Sequence, residues 1–461
     1  MPFSLGILWS RFDKKYSNFL WGFSFIFFSH YWLLYLHPLT WMGFSWISSL
    51  FISTTILFSC SLLGGLLVLF WGVIGQKVFF KKYIFYQNYY EVFINILFLS
   101  FLWAFGELLL SQTPFFWIGV SESLIPGDLY LAGLSRWIGS TGICIIQMMI
   151  GFWVFFVYVK WKRNLEFRKL LGVGIIIIFF LHIVGALLIL PNGNNSDYPI
   201  AIWQTNNPTR EKIFLNNKQL NQEVFFQQNK ALANNAELLV APEGTFNVDF
   251  NFENPSKINT LVGGFRKYNN QLRSSLLAFK KGETNYSGFL DKYRLVPLGE
   301  KVPKFLNKFS KGLSSVGGIQ PGLKSRYFKW GNTKKLAIAI CYEISDGLKI
   351  REAVKNGSEI ILSIANLDPY PNKIHDQFIS LATIRSIENN RDTIIVSNTG
   401  PSGLIRNNGR LDKFLKPNIE ESIVVYPNTN NQNTFYNKYG ILPLIFSFLF
   451  ILTIKIFQRT K

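Results

Sequence analysis

Lys335-Leu-Ala-Ile-Ala-Ile-Cys341-Tyr-Glu-Ile-Ser-Asp-Gly347 sets a thiol where a short aliphatic run gives way to polar residues that can start a helix. A run of this length and composition reads as a buried strand. A thiol at the turn from strand to helix faces backbone N–H groups and the positive helix end, which favours the thiolate. Similar runs occur at 199–203, 237–241, 358–364 and 393–397, with helical patterns at 345–356 and 374–389 between them. Strands alternating with helices indicate a layered α/β domain over residues 191–437.

The chain on either side of this domain reads differently. Of 461 residues, 49% are hydrophobic, 17% aromatic and only 16% charged, where a soluble enzyme carries nearer a quarter charged. That balance excludes disorder, collagen-like repeats and coiled coil. Apolar segments at about 18–36, 45–73, 90–111, 137–159, 170–190 and 439–457 approach the ~20 residues a membrane-crossing helix needs. The second is long enough to tilt or to divide. Residues 1–190 are therefore expected to form a membrane domain with about five spans, and 438–461 a C-terminal one. Basic residues alternate with the spans: Arg11, Lys14 and Lys15 precede the first, Lys77, Lys81 and Lys82 follow the second, and Lys160, Lys162, Arg163, Arg168 and Lys169 follow the fourth. The loop at 37–44 carries none, Arg136 is alone in its loop, and Lys455, Arg459 and Lys461 close the chain. By the positive-inside rule both termini are cytoplasmic and the α/β domain lies on the outer face. The first apolar run has no small-residue cleavage site and reads as an anchor.

Chemistry centres on Cys341. Cys60 and Cys144 lie inside apolar spans as packing residues, and no disulfide framework or Cys/His metal-ligand spacing occurs. Neither metal nor cofactor is expected. The outer domain holds one histidine, His375, so a base for Cys341 is sought among carboxylates and amines. Glu237-Leu-Leu-Val-Ala-Pro-Glu243 puts a carboxylate just past a strand end. Asp291-Lys292-Tyr-Arg-Leu-Val-Pro-Leu-Gly-Glu300 offers an amine and a carboxylate in a loop.

Val-Ala-Pro-Glu243, Asp-Lys292-x-x-Leu-Val-Pro-x-Gly-Glu300 and Ile-Cys341-Tyr-Glu-Ile resemble, in order and spacing, the signatures of bacterial apolipoprotein N-acyltransferases, a membrane-embedded branch of the nitrilase superfamily. The likeness extends to Ala201-Ile-Trp-Gln204-x-Asn206, Arg385-Ser-Ile-Glu388, Trp103-x-x-x-Glu107 and Pro114-Phe-Phe-Trp117, and so covers most of the chain. It implies an αββα nitrilase-like domain and a ping-pong acyl transfer. Glu243 would be the base, Lys292 the oxyanion donor and Cys341 the nucleophile that holds a fatty acyl thioester. Glu300, Tyr342 and Glu343 would support them, and Glu107, Trp117, Asn366 and Tyr370 would contact lipid or substrate. The donor would be a membrane phospholipid and the acceptor the α-amine of a diacylglyceryl-cysteine on an apolipoprotein, with no nucleic acid and a monomeric enzyme. The competing readings are a membrane-tethered amidase and a non-catalytic lipid- or lipoprotein-binding relative.

Two departures from the family stand out. The first apolar run looks like the family's third span, so by this resemblance the chain is expected to start a helix pair late. The family's Asn-Asp-x-Trp-Phe-Gly loop reads Asn366-Leu-Asp-Pro-Tyr370-Pro371, stiffened by Pro369 and Pro371, and its Gln-His step reads Gln377-Phe378. A changed donor or acceptor fits these better than lost chemistry. Finally, Lys301, Lys304, Lys308, Lys311, Lys324, Arg326, Lys329, Lys334 and Lys335 form a stretch without acidic residues, expected to rest on phospholipid headgroups.

Overall fold

A computed structural model resolves the chain into two compact units, one of Met1–Leu34, Leu50–Leu190 and Lys438–Lys461, the other of Tyr35–Ser49 and Pro191–Asn437. It describes all residues except 12, 41–43, 79–87, 115, 191–197, 208–215, 297–299, 301–318, 369 and 460–461. Lys81, Lys82, Lys301, Lys304, Lys308, Lys311, Phe115 and Pro369 thus lie outside the described residues.

Among the described residues, five helices are long and apolar enough to cross a bilayer: Lys15–Leu36, Trp46–Val78, Tyr89–Ser111, Ser135–Lys162 and Arg168–Leu188, all in the first unit except the ends Tyr35–Leu36 and Trp46–Ser49. The second runs unbroken to Val78, so the long apolar segment is one helix. The sixth expected span is shorter than the sequence suggests. Gly440, at φ +61°, separates a turn at Phe435–Tyr439 from the helix Leu442–Arg459. Its apolar part, Leu442–Phe457, is shorter than the other five.

One helix is not anticipated by the sequence at all. Pro2–Ser10 is too short to register as a span and is followed by basic residues that read as a tail. It nevertheless buries Leu5, Leu8 and Trp9 almost completely, and the Trp9 indole donates to the Met148 carbonyl at 3.0 Å. Edge-to-face contacts run from Trp9 to Trp71 (5.0 Å between ring centres) and on to Trp103 (5.3 Å). Aromatic pairs in this geometry gain beyond simple area burial.

The second unit is built on two six-stranded sheets. The first has the order β12-β1-β2-β3-β4-β5, from β1 (Ile200–Gln204), β2 (Leu238–Val248), β3 (Asn259–Tyr268), β4 (Gln271–Phe279), β5 (Gly288–Asp291) and β12 (Glu421–Val425). The second has the order β11-β10-β9-β8-β7-β6, from β6 (Tyr327–Phe328), β7 (Leu336–Ile340), β8 (Ile360–Ala365), β9 (Thr393–Ser397), β10 (Gly403–Ile405) and β11 (Leu411–Phe414). Each sheet has a parallel central trio, β1–β3 and β7–β9, flanked by antiparallel strands.

Alternation along the strands decides the layering. Ile200, Ile202, Val240, Leu261 and Leu276 share one core with Ile338, Ile340, Leu362, Ile364 and Val396, so the two sheets pack face to face. The alternate residues Ala201, Trp203, Leu239, Val262 and Leu277 form a second core with Leu220, Val224 and Ala231 of the helix Asn217–Ala233. Helices Gly347–Lys355 and Asn372–Asn389 pack against the second sheet. The result is the αββα sandwich expected from the sequence.

Two features are not legible from the sequence. The hairpin β3–β4 turns on Asn269 and Asn270, both in the left-handed region, a two-residue turn of the kind that joins antiparallel strands. Strand β2 also continues past Ala241, with register shifts against β3 between Ala241 and Phe246. Glu243 therefore stands inside an irregular part of the strand and not beyond its end.

Candidate active site

Cys341 directly follows β7 and has φ +54°, left-handed backbone that L-residues avoid at a cost of roughly 1–2 kcal/mol. This turn takes the thiol out of the strand's alternation. The chain then makes a single 3₁₀ turn, Cys341–Ser345, and the α-helix starts only at Gly347. The expected thiolate at a helix end is thus corrected. Burial, first, and the neighbouring Glu243 carboxylate push the Cys341 thiol well above its ordinary range, and Lys292 offsets only part of this. The resting side chain is a thiol hydrogen-bonded to Glu243.

Glu243 and Lys292 reach this point from the other sheet. The Lys292 ammonium, 1% exposed, lies 2.8 Å from Glu243 Oε1 and 2.7 Å from Glu300 Oε1. Burial opposes its charge, but the two carboxylates and Cys341 outweigh that and raise its pKa. Those contacts occupy two of its three N–H bonds. Glu300 is fixed in turn by the Val296 N–H, which donates to Oε2 at 2.8 Å. Glu243 accepts from the Asn366 N–H on Oε2 (3.1 Å) and from Ser274 Oγ on Oε1 (3.4 Å). The group can therefore take a proton from sulfur and give it up again, and it has a fixed cation beside the same sulfur.

The backbone under Glu243 leaves no slack. A Cβ on Gly263 of β3 would fall 2.3 Å from Glu243 Cα and 2.4 Å from the Pro242 carbonyl oxygen. Gly263→Ala must shift Glu243, and a ~1 Å misplacement of a catalytic group is enough to lower turnover by tenfold or more. A turnover assay on folded Gly263→Ala beside wild type checks this; equal rates would show that Glu243 tolerates displacement.

The other expected residues are distributed around this centre. Tyr370 lies close enough to Cys341, Glu300 and Lys292 to feel their charges, and burial raises its hydroxyl pKa. The Asn366 side chain faces inward, accepting from Asn398 Nδ2 at 3.0 Å. Tyr342 carries the Arg294 guanidinium 4.7 Å from its ring centre. Glu343 is fully buried and accepts four bonds: from Tyr293 N (2.6 Å) and Arg294 N (3.4 Å) on Oε1, and from Ile340 N (2.9 Å) and Arg326 Nη1 (2.8 Å) on Oε2. Glu107 and Trp117 belong to the other unit. Glu107 accepts from Trp103 Nε1 (2.9 Å) and Val120 N (3.2 Å), and Trp117 is buried against the edge of Trp32.

Three supporting residues are missed or misread from sequence alone. Asn398, fully buried, holds Asn366 and accepts from Thr205 Oγ1 at 3.0 Å. Its Asn-Thr-Gly step directly after a strand is the available signal. Asp291 takes Arg266 in a two-point pair (2.7 and 2.6 Å), with Arg273 and Ser275 added. Burial alone would raise its carboxyl pKa; these partners outweigh it and hold the pKa below the ordinary value. Arg326 sits in sequence among the lysines expected to bind headgroups, yet it is 1% exposed and cannot touch a membrane. Lys324 and Lys329 beside it are exposed.

Comparison with known proteins places the whole chain. No family model matches it. A protein of Prochlorococcus marinus subsp. pastoris named apolipoprotein N-acyltransferase is 57% identical over 457 residues, covering 99% of this chain and 92% of the relative. The chain belongs to the apolipoprotein N-acyltransferase family. Another so named, from a second Prochlorococcus marinus strain, is 42% identical over 97% of this chain and 91% of its own length. One from Parasynechococcus marenigrum is 36% identical over 94% and 91%. Among solved structures, a Nesterenkonia amidase of the nitrilase superfamily covers 56% of this chain and 99% of its own at 14% identity and TM-score 0.40. A Saccharomyces cerevisiae member of branch 10 of that superfamily covers 55% and 96% at 15% identity and TM-score 0.38. In this member of the acyltransferase family, the three signature residues from separate strands and loops meet at one point, with Glu243 and Lys292 buried and Cys341 half-buried.

Proposed function

We propose that the protein moves a fatty acyl chain from a membrane phospholipid to the α-amine of the N-terminal diacylglyceryl-cysteine of apolipoproteins. The observation that carries this is the Cys341 thiol set against Glu243 and Lys292 in a chain 57% identical to a protein named for that activity. Glu243 takes the thiol proton as sulfur attacks the ester carbonyl. The remaining Lys292 N–H and backbone N–H groups near Cys341 stabilise the oxyanion, each such donor contributing roughly 3–4 kcal/mol. The tetrahedral adduct collapses, and Glu243 returns the proton to the departing lysophospholipid oxygen, leaving a thioester. The acceptor amine then attacks, Glu243 takes its proton, an amide forms and the thiol is regenerated. The burial of Glu243 and Lys292 beside the half-buried Cys341 supports this order, because hydrolysis of the thioester is the competing reaction.

The acyl chains and acceptor would reach the site from the bilayer, with Tyr370 beside the reacting sulfur. The alternation of basic residues between the spans supports cytoplasmic termini and an outer catalytic unit. We read the enzyme as a monomer.

The test is intact mass spectrometry of the purified protein after incubation with phospholipid vesicles. A hydroxylamine-sensitive gain of one fatty acyl mass is expected on wild type and absent from Cys341→Ala. A diacylated lipopeptide should then discharge it. No adduct with any phospholipid class would sink the acyl-transfer reading; an adduct that no lipopeptide discharges would sink the proposed acceptor.

A further inference from the structure

The two halves of the acyl-transfer machinery come from different sheets. Lys292 follows β5 at the end of the first sheet, and Cys341 follows β7 inside the second. Apolar packing between the sheets is non-directional and does not by itself fix their edges to the fraction of an ångström that catalysis needs. Something polar and directional must do so at this end of the sandwich.

Arg326 has that geometry. Its backbone enters the second sheet, where its carbonyl accepts from Ile338 of β7 at 2.9 Å. Its guanidinium reaches the other way: Nη1 donates to Glu343 Oε2 at 2.8 Å, and Nη2 donates to the Asp291 carbonyl at 3.0 Å and to the Leu323 carbonyl. Glu343 belongs to the Cys341 turn, and Asp291 is the residue before Lys292. The same carboxylate takes the N–H groups of Tyr293 and Arg294 just beyond Lys292. The Tyr293 ring lies 4.7 Å from the guanidinium. Arg326 and Glu343 are both essentially without exposure, at 1% and 0%.

We propose that Arg326 is a positioning residue that sets Lys292 against Cys341, by bridging the Glu343 carboxylate of one sheet to the Asp291 carbonyl of the other. The bridge needs a planar fork with several donors in fixed directions. A lysine supplies the charge for Glu343 but cannot hold both ends. The inference rests on the acyl-transfer reading for what the site does, and on geometry alone for what holds it.

The experiment uses the full-length protein in detergent and compares Arg326→Lys with wild type. Single-turnover acylation of Cys341 by phospholipid is expected to slow at least tenfold at saturating lipid, with the half-saturating lipid concentration unchanged. Iodoacetamide alkylation of Cys341 supplies a second readout. With Lys292 drawn off the sulfur, the thiolate loses its cation, and the alkylation profile should move to higher pH. A merely structural role would lower Tm and leave that profile where it is, and this outcome overturns the proposal, as does a folded variant with wild-type acylation. If Arg326→Lys does not fold, the Arg326→Gln/Glu343→Gln pair, which leaves no lone buried charge, takes the same two measurements. If wild type itself takes up no acyl chain, the functional reading fails separately. The alkylation profile then still decides Arg326, a shift supporting its role and an unchanged profile overturning it.

Discussion

Glu243→Gln is expected to slow acylation of Cys341 by about 10³-fold while making the same thiol easier to ionise. A positioned general base contributes typically 10²–10⁴-fold, and no other described carboxylate accepts the Cys341 proton. Glutamine keeps the shape and can still accept from the Asn366 N–H, so the fold around the site should survive. The sign of the second effect comes from charge. Burial and the Glu243 carboxylate both raise the thiol pKa, and only Lys292 lowers it. Removing a negative neighbour favours the thiolate, so iodoacetamide should modify the variant at lower pH than wild type. A nucleophile that becomes more reactive to a small alkylating agent and less reactive to its ester has lost proton transfer, not access. Parallel loss of both reactions would mean that the substitution disturbed the site, and parallel gain that Glu243 is not the base.

Arg391→Met is expected to lower Tm by about 10 °C without slowing turnover at low temperature. Arg391 is fully buried just after the helix Asn372–Asn389. No carboxylate pairs with it among the described residues. Its charge is met by carbonyls instead: Ser358 on Nε at 2.8 Å, and Asn389, Asn390 and Gln432 on Nη1 at 3.3, 3.1 and 2.7 Å. Burial drops its pKa to about 10, still far above neutrality, so it stays charged. Methionine fills the space but takes the Arg391 donors from the Ser358, Asn389 and Gln432 carbonyls, while the Asn390 carbonyl keeps Asn430 Nδ2 at 3.1 Å. An unsatisfied buried acceptor costs about 1–3 kcal/mol, and allowing for relaxation the set should cost about 4 kcal/mol. In a domain of this size that corresponds to roughly 8–16 °C. Thermal unfolding of the solubilised full chain measures it; a shift under about 3 °C would show that the linker at 428–433 simply rearranges.

The legible part of this protein is the part governed by local pattern. The aliphatic runs at β1, β7, β8 and β9 announce themselves because they are covered on both faces. The membrane helices do so because lipid requires length. The signatures around Glu243, Lys292 and Cys341 are readable because each is a short, contiguous string. The unreadable part depends on partners distant in sequence. Arg326 looks like one more base in a lysine-rich stretch until Glu343 and Asp291 are beside it. Pro2–Ser10 looks like a tail until the space next to Met148 needs Trp9. The expectation of a Cys341 thiolate rests on a helix that is in fact a single 3₁₀ turn, and partial burial beside the Glu243 carboxylate, which no spacing reveals, reverses the sign.

The catalytic unit's main segment, Pro191–Asn437, starts and ends in the membrane unit, at Leu190 and Lys438. On the expectation that Leu442–Arg459 is the last span, its unfolded chain would still be fastened at both ends by helices that remain in lipid. The bilayer acts on that chain as a crosslink does, removing denatured-state entropy worth on the order of 5 kcal/mol for a loop this long. The same amino acids cut out as a soluble fragment would forfeit that help. A single proteolytic nick in either connection would cancel it while leaving the domain attached to the membrane.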